Sequence, residues 1–168
     1  MRKTLWKVGL TTAAVVLLSS SAAYAQATAN AALNVTVNVA SRARLTLGVA
    51  AISFADADPT TTPSIPASSQ VTVNVGARTS SASNITLTLL ATGDFASGGN
   101  TIAINNLTWT AGGAGFVAGT ANATTAQNVG TWTGSGLRAG TQDYVMANSW
   151  AYVPGSYTTT LNYTLTVP

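Results

Sequence analysis

The chain predicts an all-β fold, a single antiparallel immunoglobulin-like β-sandwich of about eight or nine strands behind a signal peptide. Three observations carry that expectation. Apolar residues alternate with Asn and Thr at period two, Gly- and Pro-containing turns separate the alternating stretches, and no helical period is present. Threonine abounds in these stretches, and a β-branched polar side chain suits the solvent face of a strand.

Residues 1–25 are read as a Sec-type signal peptide: Arg2, Lys3 and Lys7 give a positive start, Val8 to Leu18 is small or apolar, and Ala23-Tyr24-Ala25 fits small-x-small cleavage. The apolar stretch is too short to span a bilayer, so no membrane span is expected after cleavage. Residues 26–32 form a flexible leader and 33–168 the sandwich. The first strand is expected at Leu33, Val35, Val37 and Val39, alternating with Asn34, Thr36 and Asn38. Leu45, Leu47 and Val49 make the second, with Ile52 and Phe54 on the opposite parity after a bulge or kink at 48–51. Pro59, Pro63 and Pro66 turn residues 56–69 into a long loop or edge crossing, since proline cannot donate to a ladder.

Val71, Val73 and Val75 start the next strand, and Ile85, Leu87 and Leu89 another after a Ser-rich turn. Ile102 and Ile104 lead, with a slip of parity, to Leu107 and Trp109. A flexible glycine-rich loop around Phe116 follows, then a strand near Val129 to Thr133 and an extended stretch from Tyr144 to Tyr152. After the Pro154-Gly155 turn comes the clearest strand, with Tyr157, Thr159, Leu161, Tyr163, Leu165 and Val167 on one face.

Composition narrows the function. The formal charge is +3, yet three of the seven basic residues lie within 1–25, and the rest of the chain sets Arg42, Arg44, Arg78 and Arg138 against Asp56, Asp58, Asp94 and Asp143. A neutral chain without clustered Lys and Arg is not built for nucleic acid. No Lys, Glu, His or Cys follows residue 25, which leaves no general base near neutral pH and no activated nucleophile. The chain is therefore read as no enzyme, with no cofactor. It also lacks a cystine framework, so an apolar core must hold the fold. Asp56 and Asp58 are the only close carboxylate pair that offers oxygens to calcium; two Asp beside a Pro also cap a loop, and no metal is assigned. Asn-x-Thr at Asn34, Asn84, Asn106, Asn122 and Asn162 follows from strand alternation in a chain rich in both residues. Trp132 lies among glycines and, with Tyr144 and Trp150, is the expected contact for a glycan or cell wall; core packing is the commoner fate of such rings.

The closing segment, with Tyr157, Leu161, Tyr163 and Leu165 before Pro168, resembles the end of WxL-type cell-surface domains, with Tyr163 in the place of the distal Trp. The order Val71 to Val75, Arg78 and a second strand is similar to that family as well. This resemblance implies an exported protein that binds cell wall non-covalently. A second resemblance, to chaperone-usher pilins and spore-coat-U-like proteins, is carried by Gly155 ahead of an alternating final strand and by the alternating segment behind a flexible leader. It implies a subunit whose Leu33, Val35, Val37 and Val39 are donated to a neighbour. The resulting expectation is a secreted, non-catalytic structural or adhesive protein of the bacterial cell surface. Its partners are cell wall or surface glycan, or copies of itself or other surface subunits.

Overall fold

A computed structural model describes residues 28–80 and 82–168, so the signal peptide expected at 1–25 lies outside the described residues. Chain contacts divide it into two units, Met1–Val37 and Asn38–Pro168. In the first, residues 28–37 have no regular secondary structure, and Leu33, Val35 and Val37 are exposed.

The second unit is all-β and antiparallel, in two main sheets. The strands are β1 (Arg42–Leu47), β2 (Ser64–Pro66), β3 (Val71–Arg78), β4 (Asn84–Ala91), β5 (Phe95–Ser97), β6 (Asn100–Ile102), β7 (Leu107–Gly112), β8 (Gly119–Thr120), β9 (Gln127–Thr133), β10 (Gly136–Ala147) and β11 (Leu161–Thr166). The larger sheet runs β1-β3-β10-β7-β8, with β2 added to β10; the smaller runs β11-β4-β9; β5 and β6 form a separate hairpin. Proline at the end of β2 is tolerated because this strand is a three-residue edge piece.

Alternation decides which face goes inside. In β3, Val71, Val73 and Val75 are buried and Thr72 and Asn74 exposed; in β4, Ile85, Leu87, Leu89 and Ala91 are buried. These two faces meet with Leu107, Trp109, Val129, Tyr144 and Met146 in one core. Burying each large side chain contributes roughly 1.5–3 kcal/mol, which a chain without disulfides needs.

The two flanks of the sandwich differ. On the β8–β9 flank, residues 113–117 close the gap: Val117 N–H donates to Val129 O at 2.9 Å and Thr131 N–H to Gly115 O at 3.0 Å, and Phe116 bridges to Gly130. Trp132 Nε1 donates to Ala114 O at 2.8 Å, and its ring meets Phe116 edge-on with centroids 4.8 Å apart. Gly115 makes this plug possible. Its φ of +82° is in the left-handed region, and a Cβ there would collide with Trp132 Nε1. The glycine-rich loop is thus a fitted seal rather than the loose hairpin its composition suggests.

Candidate assembly site

Among the described residues, the opposite flank, between β1 and β11, is open. β11 hydrogen-bonds to β4 on one side, and among the described residues no other segment shares a backbone hydrogen bond with it. β1 lies close by but belongs to the other sheet. The inward residues of β11, Leu161, Tyr163 and Leu165, are only half-buried, whereas the matching residues of β4 are buried. Leu45 and Val49 are half-buried as well, and Leu47 is 40% exposed. The result is an apolar cleft along an unpaired strand edge, the feature that sheets ordinarily protect with charge or cover. Asn162, Thr164 and Thr166, on the outer face of β11, carry no charge.

At the floor of the cleft a recess of about 80 Å³ is lined by Leu47, Val49, Ile52, Val71, Leu161 and the rings of Tyr144 and Tyr163. Tyr144 Oη lies 2.6 Å from Tyr163 Oη, and Tyr163 Oη donates in turn to Gln142 Oε1. Gln142 is fully buried, and its Nε2 finds no partner among the described residues. An unmet buried donor costs about 1–3 kcal/mol, so this polar knot is a weak place in an otherwise apolar core.

Burial pushes the Tyr163 phenol from its ordinary value of 10 up to about 12, against a smaller lowering by its hydrogen bond with Tyr144. Burial, and then the neighbouring Tyr163, raises Tyr144 further in the same direction. Both groups hold their protons longer folded than unfolded. The stability these two groups contribute is therefore fully present below pH 10 and is lost as pH rises from the unfolded value toward the folded one. The urea midpoint is expected to be lower at about pH 11.5 than at about pH 9, and Tyr144→Phe with Tyr163→Phe should flatten that slope. An unchanged slope in the double variant would remove the knot as its cause.

The segment 33–39, expected as the first strand, is not one. Leu33, Val35, Val37 and Val39 are 87%, 76%, 77% and 65% exposed, and regular pairing begins only at Arg42. Alternation supplies one apolar face, but a strand also needs partners for its backbone groups, and none is paired with this segment among the described residues.

Of the expected glycan contacts, Trp132 and Tyr144 are buried, at 7% and 2% exposure, and neither ring is a surface platform. The glycines around Trp132 make room for the ring instead of exposing it. Trp150 is 73% exposed, its Nε1 donating to Thr60 Oγ1 at 3.2 Å. Tyr157 falls outside β11, which begins only at Leu161; Tyr157 Oη donates to Val153 O. Asp58 Oδ1 accepts from Thr60 N–H at 2.8 Å, the loop-capping role. Asp56 is exposed in the same loop. Gln142 was not foreseen, although the parity Gly140, Gln142, Tyr144, Met146 marks it as inward-facing.

The structure thus pairs an open, uncharged strand edge over an apolar cleft with an exposed segment whose apolar residues have the same period of two. No protein-family model, curated protein or solved structure matches the chain.

Proposed function

We propose that this protein is a non-catalytic structural subunit of the bacterial cell surface that joins to copies of itself by strand donation. Leu33, Val35, Val37 and Val39 of one copy lie in the β1–β11 cleft of the next. The observation that carries this reading is the fit between the cleft's unpaired edge at β11 and the unpaired apolar alternation at 33–39. A strand added to an edge gains main-chain hydrogen bonds along its length and places every second side chain in the cleft. Seven extended residues span about 23 Å, enough to cover the six residues of β11. The absence of Lys, Glu, His and Cys after residue 25 supports a role without chemistry.

A second reading, contact with cell wall or glycan, rests on Trp150, whose exposed ring is held in one orientation by Thr60. An oriented aromatic face suits a sugar ring.

Hydrogen exchange on the full chain, followed with sedimentation as concentration rises, tests the first reading. Amides of 33–39 and of 161–166 are expected to gain protection together as oligomers appear. Joint protection in a species that sediments as a monomer would mean the segment fills its own cleft. That result, or no protection at any concentration, overturns donation between copies.

A further inference from the structure

The chain's charges are sorted by position along the sandwich, and the ladder registers show it. Arg42 on β1 is directly opposite Arg78 on β3, Arg44 is opposite Gly76, and Arg138 on β10 is opposite Val75. All four arginines therefore occupy one end, where Thr79 N–H bonds Ser135 Oγ and Gly134 N–H bonds Ser83 O. Arg42, Arg44 and Arg78 are exposed. Two like charges directly opposed on neighbouring strands are mutually destabilising, and no carboxylate stands near them in the register.

The aspartates lie at the other end. Asp56 and Asp58 are in the loop between β1 and β2, which Asn148 ties to the far end of β10 through Ala57 O and Thr62 O. Asp143 bonds Gln70, the residue just before β3. Asp94 follows the last residues of β4, whose Ala91 pairs with Leu161 at the start of β11, and it bonds Ile104 N–H. All four are exposed. From Gln70 to Arg78 an extended strand covers about 27 Å. That is several times the roughly 8 Å Debye length at physiological salt, and the nearest opposite pair along a strand, Arg138 and Asp143 of β10, stands about 17 Å apart, about twice that length, so each end acts largely as a patch of one sign. Pro168 is also at the arginine end, its carbonyl accepting from Thr79 Oγ1. A carboxylate there would subtract one charge from four.

We propose that copies of the chain stack head to tail, the arginine end of one against the aspartate end of the next. This rests on the reading that the partner is a second copy, and it adds the polarity and the direction of the joint. The two ends are different surfaces of opposite sign, so the contact is heterologous and does not close on itself as a two-fold dimer would. Like ends repel, which excludes the inverted arrangements.

Strand direction agrees with this polarity. β1 starts at the arginine end, so the preceding segment joins the sandwich there, next to the partner's aspartate end. Running from residue 33 to 39 toward its own Arg42, the segment passes the partner's cleft from arginine end to aspartate end. β11 runs the opposite way, from Leu161 at the aspartate end to Thr166 at the arginine end. The donated strand is therefore antiparallel to β11, as its other neighbour β4 is.

The test is a charge swap in the full chain. One variant carries Arg42→Asp and Arg78→Asp, the other Asp56→Lys and Asp143→Lys, all at exposed positions, with circular dichroism as the check on folding. Assembly of the unaltered chain, followed by light scattering, is expected to slow about tenfold between low and high salt, as electrostatic steering does. Each variant alone should assemble at least about tenfold more slowly at low salt, because its two substitutions take the altered end from four like charges to none in net; in an equimolar mixture the intact aspartate end of one variant meets the intact arginine end of the other, so mixed dimers should form at the original rate. Assembly that ignores salt, or a mixture no faster than its components, overturns the polar contact and leaves strand donation standing. If the contact is right and donation wrong, a chain with Val35→Asp and Val37→Asp will assemble as the unaltered chain does, with the salt dependence intact.

Discussion

A chain carrying Val35→Asp and Val37→Asp is expected to fold normally and to stay monomeric where the unaltered chain assembles. Folding should not change, because both side chains are more than three-quarters exposed, at 76% and 77%. Assembly should change greatly. Moving each valine from water into the cleft contributes roughly 1.5–3 kcal/mol, and an unpaired carboxylate in its place adds a burial cost. A loss of about 5 kcal/mol weakens association by a factor of roughly 10³–10⁴. Parity provides the control: Asn34→Asp with Thr36→Asp introduces the same charge on the face that points to solvent in a donated strand. Sedimentation velocity separates the two variants, and equal effects from both faces would mean that charge, not the apolar face, controls association.

The largest effect on stability is expected at Trp109. Its ring is 2% exposed, lies with its centroid 5.9 Å from that of Tyr144, and donates from Nε1 to Val117 O at 2.9 Å. Trp109→Ala removes the core's largest contact surface, leaves a cavity and strands the Val117 carbonyl, for a cost of about 4 kcal/mol. A domain of this kind has about 5–15 kcal/mol in total, so the variant should be marginal. Trp109→Phe keeps most of the volume and loses the hydrogen bond, and should cost less. A urea midpoint for Trp109→Ala within error of the unaltered chain would mean that the core relaxes into the space.

How far the fold can be read from sequence depends on where each strand's partners lie. β3 and β4 are legible because both are covered on their apolar face, so Val71 to Val75 and Ile85 to Leu89 bury the side the alternation indicates. The same pattern at 33–39 misleads, since period two reports a greasy face and says nothing of a ladder partner. The glycines around Trp132 mislead in the opposite direction: they read as loop flexibility, but their missing Cβ atoms admit the rings of Trp132 and Phe116. The cleft itself is invisible in the sequence. It arises because Gly113 to Val117 covers one flank and no segment among the described residues covers the other, a fact of topology that local pattern does not encode. The sorting of charges is likewise hidden until register places Arg42 opposite Arg78.

The sealed flank at β9 has a consequence in the language of polymer chemistry. With that side closed by Phe116 and Trp132, the described residues leave one open strand edge over a cleft, and under the proposed strand donation the segment before β1 would be the one donor. A monomer of functionality two forms linear chains and cannot branch or gel. Opening the β9 flank, by displacing residues 113–117, would add a second acceptor edge beside the one donor and, under the same proposal, turn a thread-forming subunit into a branching one.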